Sequence, residues 1–245
     1  MINILIPNID NKFFRNLSIT NIPNTNIVTH SIQGNIYNLY YRYNFNILVI
    51  PSSLIDNSIV QFSIEYMNNV KIIIDVDSKL SEEFLETYNN IFIFLVDDNQ
   101  LNSYKKYKHI EKSKHFINDQ IYVPNKKTTK TNFIACFLDD LMLLPTNLID
   151  KLYPNNNLKI RMFNNRSINH PQNLGLINEV DKASILSSAE YYLDINDGMY
   201  NIEAYISGCK IINLNSIAID KLEPIAFNIP SYTTYSKFIQ DCIII

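Results

Sequence analysis

The chain has 245 residues, of which 47% are hydrophobic and 18% are charged, and its net charge is -3. These values describe an ordinary soluble protein with material for one large domain or two small ones. No apolar run reaches the roughly 18 residues that span a bilayer, and the segment from Met1 to Pro7 lacks a basic region and a cleavage site. We therefore expect neither a membrane span nor a secretory signal, and the N-terminus predicts a first strand.

The chain has three cysteines, Cys136, Cys209 and Cys242, which are odd in number and widely separated. Their spacing does not fit a metal site, so we expect reduced, buried thiols and a cytoplasmic location. Asn and Ile are over-used, Gly is scarce and Trp is absent. This bias is typical of AT-rich genomes, such as those of parasites, endosymbionts and large viruses. For a viral protein the expected location extends to the host cytoplasm or the virion.

The first half of the chain alternates short apolar blocks with segments of helical periodicity. Continuous apolar blocks without polar alternation are typical of parallel strands that are buried on both faces. The predicted strands are Ile2–Ile6, Asn26–Ile32, Asn46–Ile50, Val70–Val76 and Ile91–Val96, and the predicted helices are Ile59–Met67 and Ser81–Tyr88. This alternation predicts βαβ units.

A lysine-rich segment interrupts the pattern between residues 100 and 130. It holds eight lysines and two acidic residues, a net charge of +6. Two interpretations stay open: a solvated helix that links two domains, or a cationic rim beside a cleft for a phosphate-bearing ligand or nucleic acid. Few aromatic residues accompany the lysines, which argues against a stacking platform for single strands.

After Lys130 the alternation of strands and helices begins again. The predicted strands are Asn132–Leu138, Leu158–Phe163, Tyr191–Ile195 and Cys209–Leu214, and the predicted helices are Pro145–Leu152, Glu179–Ala189, Asn201–Ser207 and Tyr232–Cys242. We therefore predict an α/β protein of two tandem Rossmann-like domains with parallel sheets, covering residues 1–125 and 131–245.

The segment from Asn173 to Leu214 has the pattern of a ligand-binding edge. A loop enters a helix near Tyr200 directly after a predicted parallel strand. Free N–H groups and the helix dipole favour anions at such a position, and open α/β sheets bind ligands at the carboxyl ends of their strands. Glu203 lies one turn into the helix, where its carboxylate can accept two hydrogen bonds from a ribose diol.

The order of motifs in this segment resembles the donor-binding half of GT-B glycosyltransferases. The matching pieces are Gly175, the helix ending at Ala189, the strand Tyr191–Ile195, Asp197-Gly198, Glu203-Ala204 and Gly208 before a last strand. Three of the four glycines in the chain occupy the family's glycine positions. The match covers residues 173–214, and the predicted two-domain organisation agrees with a compact GT-B architecture.

The resemblance implies a metal-independent transferase with no cofactor that uses a nucleoside-diphosphate sugar. Glu203 matches the family residue that holds the donor ribose, and the donor phosphates would lie on the loop from Asp197 to Asn201. The expected donor-binding residues are Glu203, Asp197, Gly198, Tyr200, Asn201, His170, Gly175 and Arg166. The acceptor, which is a glycan, a protein or a nucleic acid, would enter against the N-terminal half.

Two departures from the family pattern keep alternatives open. Ile195 stands where the first acidic residue of the family motif is expected, eight residues before Glu203. The region from Cys136 to Pro145 lacks the family's Arg and Lys, so a cation for the diphosphate must come from Arg161, Arg166, Lys182 or the linker lysines. The alternatives are a non-catalytic GT-B-like binding or assembly protein, which could form an oligomer, and a DNA-modifying sugar transferase.

The candidate catalytic residues lie in the first half of the chain. His30 ends the second predicted strand and Asp10 follows the first, where a general base or an acceptor contact would lie. A metal pair at Asp139 and Asp140 is a weak alternative, because adjacent carboxylates on a strand point apart. The chain has no Gly-x-Ser-x-Gly element, no Gly-x-Gly-x-x-Gly and no phosphate-binding loop of NTPases.

Overall fold

The structure of the chain is a computed structural model that describes residues 1–32, 35–96, 100, 103–107, 110–112, 116–123, 129–138, 159–164, 174–194, 200–213, 217–218, 221–222, 224–226 and 233–244. The chain divides into two compact units. The first unit comprises Met1–Asn118 and Tyr232–Ile245, and the second comprises Asp119–Ser231. In the part of the chain that is described, no helix has the length and apolar character needed to cross a bilayer.

The first unit is built on a six-stranded sheet in which every neighbouring pair is parallel. Its strands are β1 (Ile2–Pro7), β2 (Thr25–His30), β3 (Ile47–Pro51), β4 (Lys71–Asp75), β5 (Phe92–Val96) and β6 (Ile110–Lys112). The strand order is β2-β1-β3-β4-β5-β6. All five strands predicted in this half are present, and β6 lies inside the lysine-rich segment, where no strand is predicted.

Four helices connect the strands of this sheet. They are α1 (Lys12–Ser18), α2 (Ile36–Tyr43), α3 (Asn57–Tyr66) and α4 (Glu82–Tyr88). Each begins at a side chain that accepts a hydrogen bond from a backbone N–H of the first turn, namely Asn11, Asn35, Asp56 and Ser81. The prediction of α3 and α4 is confirmed, whereas α1 and α2 were not predicted.

The two faces of this sheet are buried in two separate cores. Leu48 and Ile50 of β3 pack on one face in a core that also contains residues of α2, α3 and α4. Val49 packs on the other face with α1 and with Phe238 of the last helix. Alternation of side chains along a strand produces this division, and burial on both faces explains the continuous apolar runs.

The end of the chain belongs to the first unit. A short strand, β7 (Phe116–Ile117), pairs in parallel with β14 (Thr233–Thr234), and α7 (Tyr235–Ile244) packs on the first sheet. The sequence placed residues 131–245 together in one domain. The structure instead groups the last residues with the first 118, because the apolar side chains Tyr235, Phe238 and Ile239 complete the core against α1.

The second unit holds a four-stranded sheet that is also parallel throughout. Its strands are β8 (Thr131–Leu138), β9 (Lys159–Asn164), β10 (Ala189–Asp194) and β11 (Lys210–Asn213), in the order β11-β10-β8-β9. The helices α5 (Glu179–Ser188) and α6 (Asn201–Ile206) flank β10 along the chain, and a small antiparallel pair, β12 (Ile217–Ala218) and β13 (Lys221–Leu222), follows. The predicted α/β fold with parallel sheets is confirmed. The predicted helix Pro145–Leu152 lies outside the described residues.

Two glycines of the second unit have positive φ and allow a matched test of local strain. Gly175 has a φ of 87° with open space where a Cβ would stand, whereas at Gly208, with a φ of 84°, a Cβ would stand 3.4 Å from Cε of Lys130. Lys130 donates to the carbonyls of Leu186 and Ser207, but 3.4 Å is ordinary van der Waals contact and adds no clash. Backbone strain is therefore the main cost at both positions, and we expect Gly175→Ala and Gly208→Ala each to lose about 1–2 kcal/mol of stability. Thermal unfolding of both variants measures the losses, and a loss for Gly208→Ala several times that for Gly175→Ala would contradict strain as the common cause.

Candidate functional site

The strand order of the second unit changes direction at the carboxyl ends of β8 and β10. The chain leaves β8 for β9 on one side and returns to β10 on the other, which makes this the topological switch point of the sheet. Open α/β sheets bind ligands at such a point. Asp194 ends β10, and because α5 leads into β10 and α6 leaves it, both helices begin at this same edge.

A buried network of four side chains lies where the two helices begin. Nζ of Lys182 donates to Oε1 of Glu179 at 3.0 Å and to the hydroxyl of Tyr200 at 2.5 Å. The Tyr200 hydroxyl donates to the same carboxylate oxygen at 3.1 Å, and the Tyr122 hydroxyl donates to Oε2 at 2.9 Å. Glu179 therefore accepts hydrogen bonds from the three other side chains of the network.

The network is nearly closed to solvent, since the Lys182 and Glu179 side chains are 6% and 3% exposed. Burial, followed by the charge of Glu179, raises the pKa of Tyr122 well above its ordinary value, so this hydroxyl remains a donor. Charges buried this deeply persist only when they are paired and hydrogen-bonded. The network fixes the start of α6, at Tyr200, to the first turn of α5.

Asn201 and Asp194 form a second polar pair at this edge. Nδ2 of Asn201 donates to Oδ2 of Asp194 at 2.6 Å, and Asn201 is only 5% exposed. The other end of the amide, Oδ1, is buried and has no hydrogen-bond partner among the described residues. The site thus contains a buried acceptor that the described protein groups do not satisfy.

Glu203 is 3% exposed, so it lies inside the unit and not on the open face of α6. Its carboxylate is close enough to contribute to the raised pKa of Tyr122 and of Tyr192, in both cases behind the larger effect of burial. From the sequence, we predict that Glu203 faces a ligand bound on the loop before α6. Any ligand group that reaches Glu203 must therefore enter the interior of this edge.

The charges of this edge are predominantly negative. Glu179, Asp194 and Glu203 are carboxylates, and Lys182 is the cation that the described residues place among them. Two of the residues predicted to supply a cation for a diphosphate are described. Lys182 forms an ion pair with Glu179, and Cζ of Arg161 lies 4.6 Å from the centroid of the Phe133 ring. Arg166 lies outside the described residues.

The remaining expected donor-binding residues are described only in part. Tyr200 is fully buried in the network, and Gly175 adopts the positive φ that a turn requires. Asp197, Gly198 and His170 lie outside the described residues, as do Asp139 and Asp140. Much of the lysine-rich segment is also outside them.

The candidate catalytic residues of the first unit lie at the carboxyl edge of adjacent strands. His30 ends β2 in register with Pro7, and its Nδ1 donates to the carbonyl of Ser31 at 2.7 Å, which leaves Nε2 as the basic nitrogen of a neutral ring. Asp10 follows β1 and forms an ion pair with Arg15. Asp10 thus has a charged partner, whereas Nε2 of His30 is the ring nitrogen that a general base would use.

The structure adds a polar group in the first unit that the sequence did not single out. Asp75 ends β4, and its carboxyl is largely buried close to Asp77. Burial, followed by the charge of Asp77, raises the pKa of Asp75 to about 6. Asp77 itself accepts hydrogen bonds from the hydroxyls of Ser52 and Ser53 at 2.7 and 2.6 Å. The sequence feature that could have identified Asp75 is its position at the end of a buried strand.

The thiols agree with the expectation of reduced, buried cysteines where they are described. Cys136 and Cys209 are free and buried, and burial raises the pKa of Cys209 to about 11 and that of Cys136 further. Both are therefore protonated and unreactive at neutral pH. The side chain of Cys242 lies outside the described part.

Comparison of the sequence with models of known protein families found no match, and comparison with curated proteins found none either.

Proposed function

We propose that the second unit binds a nucleoside-diphosphate sugar and that the chain is a metal-independent glycosyltransferase of GT-B type. The observation that carries this proposal is the buried acceptor set Glu203, Asn201 and Asp194 at the switch point of a parallel sheet. Buried carboxylate and amide oxygens suit the hydroxyl groups of ribose or of a sugar. The motif order from Gly175 to Gly208 supports the same assignment.

The charge distribution suggests which part of the donor lies here. Among the described residues, this edge has three carboxylates and one lysine, which is paired with Glu179; this charge balance disfavours a diphosphate and favours neutral hydroxyl groups. In this proposal the ribose or the sugar lies against Glu203. The phosphates lie towards the loop that contains Asp197 and Gly198, with His170 and Arg166 as further donor contacts.

The proposal assigns catalysis and acceptor binding to the first unit. His30 is the candidate general base, through Nε2, and Asp10 is a candidate acceptor contact. The acceptor is a glycan, a protein or a nucleic acid. The free, buried thiols Cys136 and Cys209 fit a reducing compartment, so the same hypothesis places the protein in the cytoplasm.

A screen of nucleotides and nucleotide sugars by thermal shift tests the proposal. We expect at least one to stabilise the protein, and we expect Glu203→Gln to weaken its binding by about 10-fold or more, since hydrogen bonds to a charged acceptor contribute about 1.5–3 kcal/mol. The matched control is Glu190→Gln, which removes a half-buried carboxylate paired with Lys210 at 2.9 Å and leaves the switch point untouched.

Release of nucleoside diphosphate from the sugar donor tests transfer itself, and His30→Ala is expected to abolish that release while binding is retained. The proposal is wrong if no nucleotide or nucleotide sugar stabilises the protein.

A second candidate function is a non-catalytic GT-B-like binding protein. The observation that favours it is the commitment of Lys182 to Glu179, since transfer with a departing diphosphate needs a cation for the leaving group. Nucleotide-sugar binding without any release of nucleoside diphosphate, across glycan, protein and DNA acceptors, would establish this second function.

A further inference from the structure

We propose that Asn201 is a specificity-determining residue, whose side-chain carbonyl accepts a hydrogen bond from a hydroxyl group of the bound ligand; this rests on the proposed function. The residue is 5% exposed, and its Oδ1 is buried without a hydrogen-bond partner among the described residues. A buried acceptor that is left unsatisfied costs about 1–3 kcal/mol. A ligand that supplies a donor removes this cost when it binds.

The orientation of the amide decides what kind of group it can recognise. Nδ2 donates to Oδ2 of Asp194 at 2.6 Å, and the reverse orientation would bring two oxygen atoms together. One hydrogen of Nδ2 is used in this bond, and Oδ1 is the amide atom that has no partner among the described residues. A carbonyl oxygen accepts but does not donate, so Oδ1 selects a ligand group that has a hydrogen to give.

The neighbouring charge favours a neutral donor of the sugar type at Oδ1. Asp194 is hydrogen-bonded to Asn201 directly. Its carboxylate is an acceptor when ionised, so phosphate oxygens are unfavourable beside it and hydroxyl groups are favourable. A ribose and a hexose both have such hydroxyls, and in either case the hydroxyl donates a hydrogen bond to Oδ1.

The discriminating measurement is a ratio of affinities for ligands with and without one hydroxyl. The ribose series consists of the four common ribonucleoside diphosphates and their 2′-deoxy and 3′-deoxy counterparts. The glucose series consists of the corresponding nucleoside diphosphate glucoses and their 2-deoxyglucose counterparts. In the native protein we expect removal of the recognised hydroxyl to weaken binding by about 10–100-fold, because Oδ1 is left unpaired again. The ribose series and the glucose series show which of the two sugars supplies the donor.

The variant Asn201→Ala is expected to bind each hydroxyl-bearing probe and its deoxy counterpart equally, within about twofold. The control variant Ile202→Ala shortens a buried apolar side chain of the same helix and is expected to keep the native ratio. A merely structural role of Asn201 would weaken all probes alike and leave the ratio unchanged.

The outcomes separate this inference from the proposed function. If nucleotides bind and Asn201→Ala preserves the native ratio, or if the native protein shows no preference for any hydroxyl, Oδ1 serves only a water molecule or nothing and the inference is wrong. If none of the probes binds at all, the proposed function and the inference are both wrong.

Discussion

Replacement of Lys182 by methionine is expected to destabilise the second unit by about 3–5 kcal/mol. The substitution removes the ammonium group that pairs with Glu179 and leaves a carboxylate that is 3% exposed without its counter-charge. Loss of one partner of a buried pair costs far more than the pair contributes, because the remaining charge stays desolvated. Hydrogen exchange of peptides from β8, α5 and β10, followed by mass spectrometry, reports the stability of this unit separately.

Two further variants make this result specific. The double variant Glu179→Gln with Lys182→Met is expected to regain much of the lost stability, since Gln still accepts from Tyr122 and carries no charge. Lys210→Met removes a pair with Glu190 in which the side chains are 53% and 30% exposed, and it is expected to cost less than 1 kcal/mol. Similar losses for Lys182→Met and Lys210→Met would contradict the buried character of the network.

Replacement of Asp75 by asparagine is expected to stabilise the first unit above pH 6 by about 1–3 kcal/mol and to have little effect near pH 4. The pKa of Asp75 is raised to about 6 in the folded protein, against 3.8 for the ordinary group. The folded state therefore holds the proton more tightly than the unfolded chain does. Native stability falls as the pH rises from about 4 through about 6, and the full cost is present above that range. Asparagine does not titrate, so the gain in stability from Asp75→Asn is expected to grow as the pH rises from about 4 to about 6.

Urea unfolding of the two proteins from pH 4 to pH 8 measures this difference. Asp77→Asn is the matched control, because its carboxylate has the opposite shift: although burial acts to raise the pKa of Asp77, hydrogen bonds from Ser53 and Ser52 lower it overall. Its ionised form stabilises the fold above the ordinary carboxyl range, so Asp77→Asn is expected to destabilise at neutral pH. A benefit of Asp75→Asn that did not change with pH would contradict the assigned cause.

The strands could be predicted from the sequence because the signal for them is local. Ile47–Pro51 and Phe92–Val96 are continuous apolar runs, and Lys71–Asp75 has three consecutive isoleucines at its centre. A strand buried on both faces requires that pattern. The helices α1 and α2 were missed although each has a capping residue. Their caps are Asn11 and Asn35, and in a chain that over-uses Asn a capping asparagine does not stand out from the background.

The position of the candidate site was predicted from the sequence, whereas its buried polar network was not. The motif order from Gly175 to Gly208 pointed to α6 and to Glu203 and Asn201, which lie at the switch point of the second sheet. Glu179 and Lys182 are three residues apart on a helix, a spacing that is equally typical of a solvated surface pair. Their burial depends on Tyr122 and Tyr200, which are distant in sequence.

By itself the sequence determined the α/β class, the parallel strands and the segment that holds the candidate site, because periodicity, glycine positions and apolar runs act over a few residues. Only the tertiary structure decided that α7 completes the first unit, that Glu203 is buried, and that Oδ1 of Asn201 lacks a partner among the described residues. These features depend on which distant side chains meet. Burial and pairing are set by long-range packing, which no local pattern encodes.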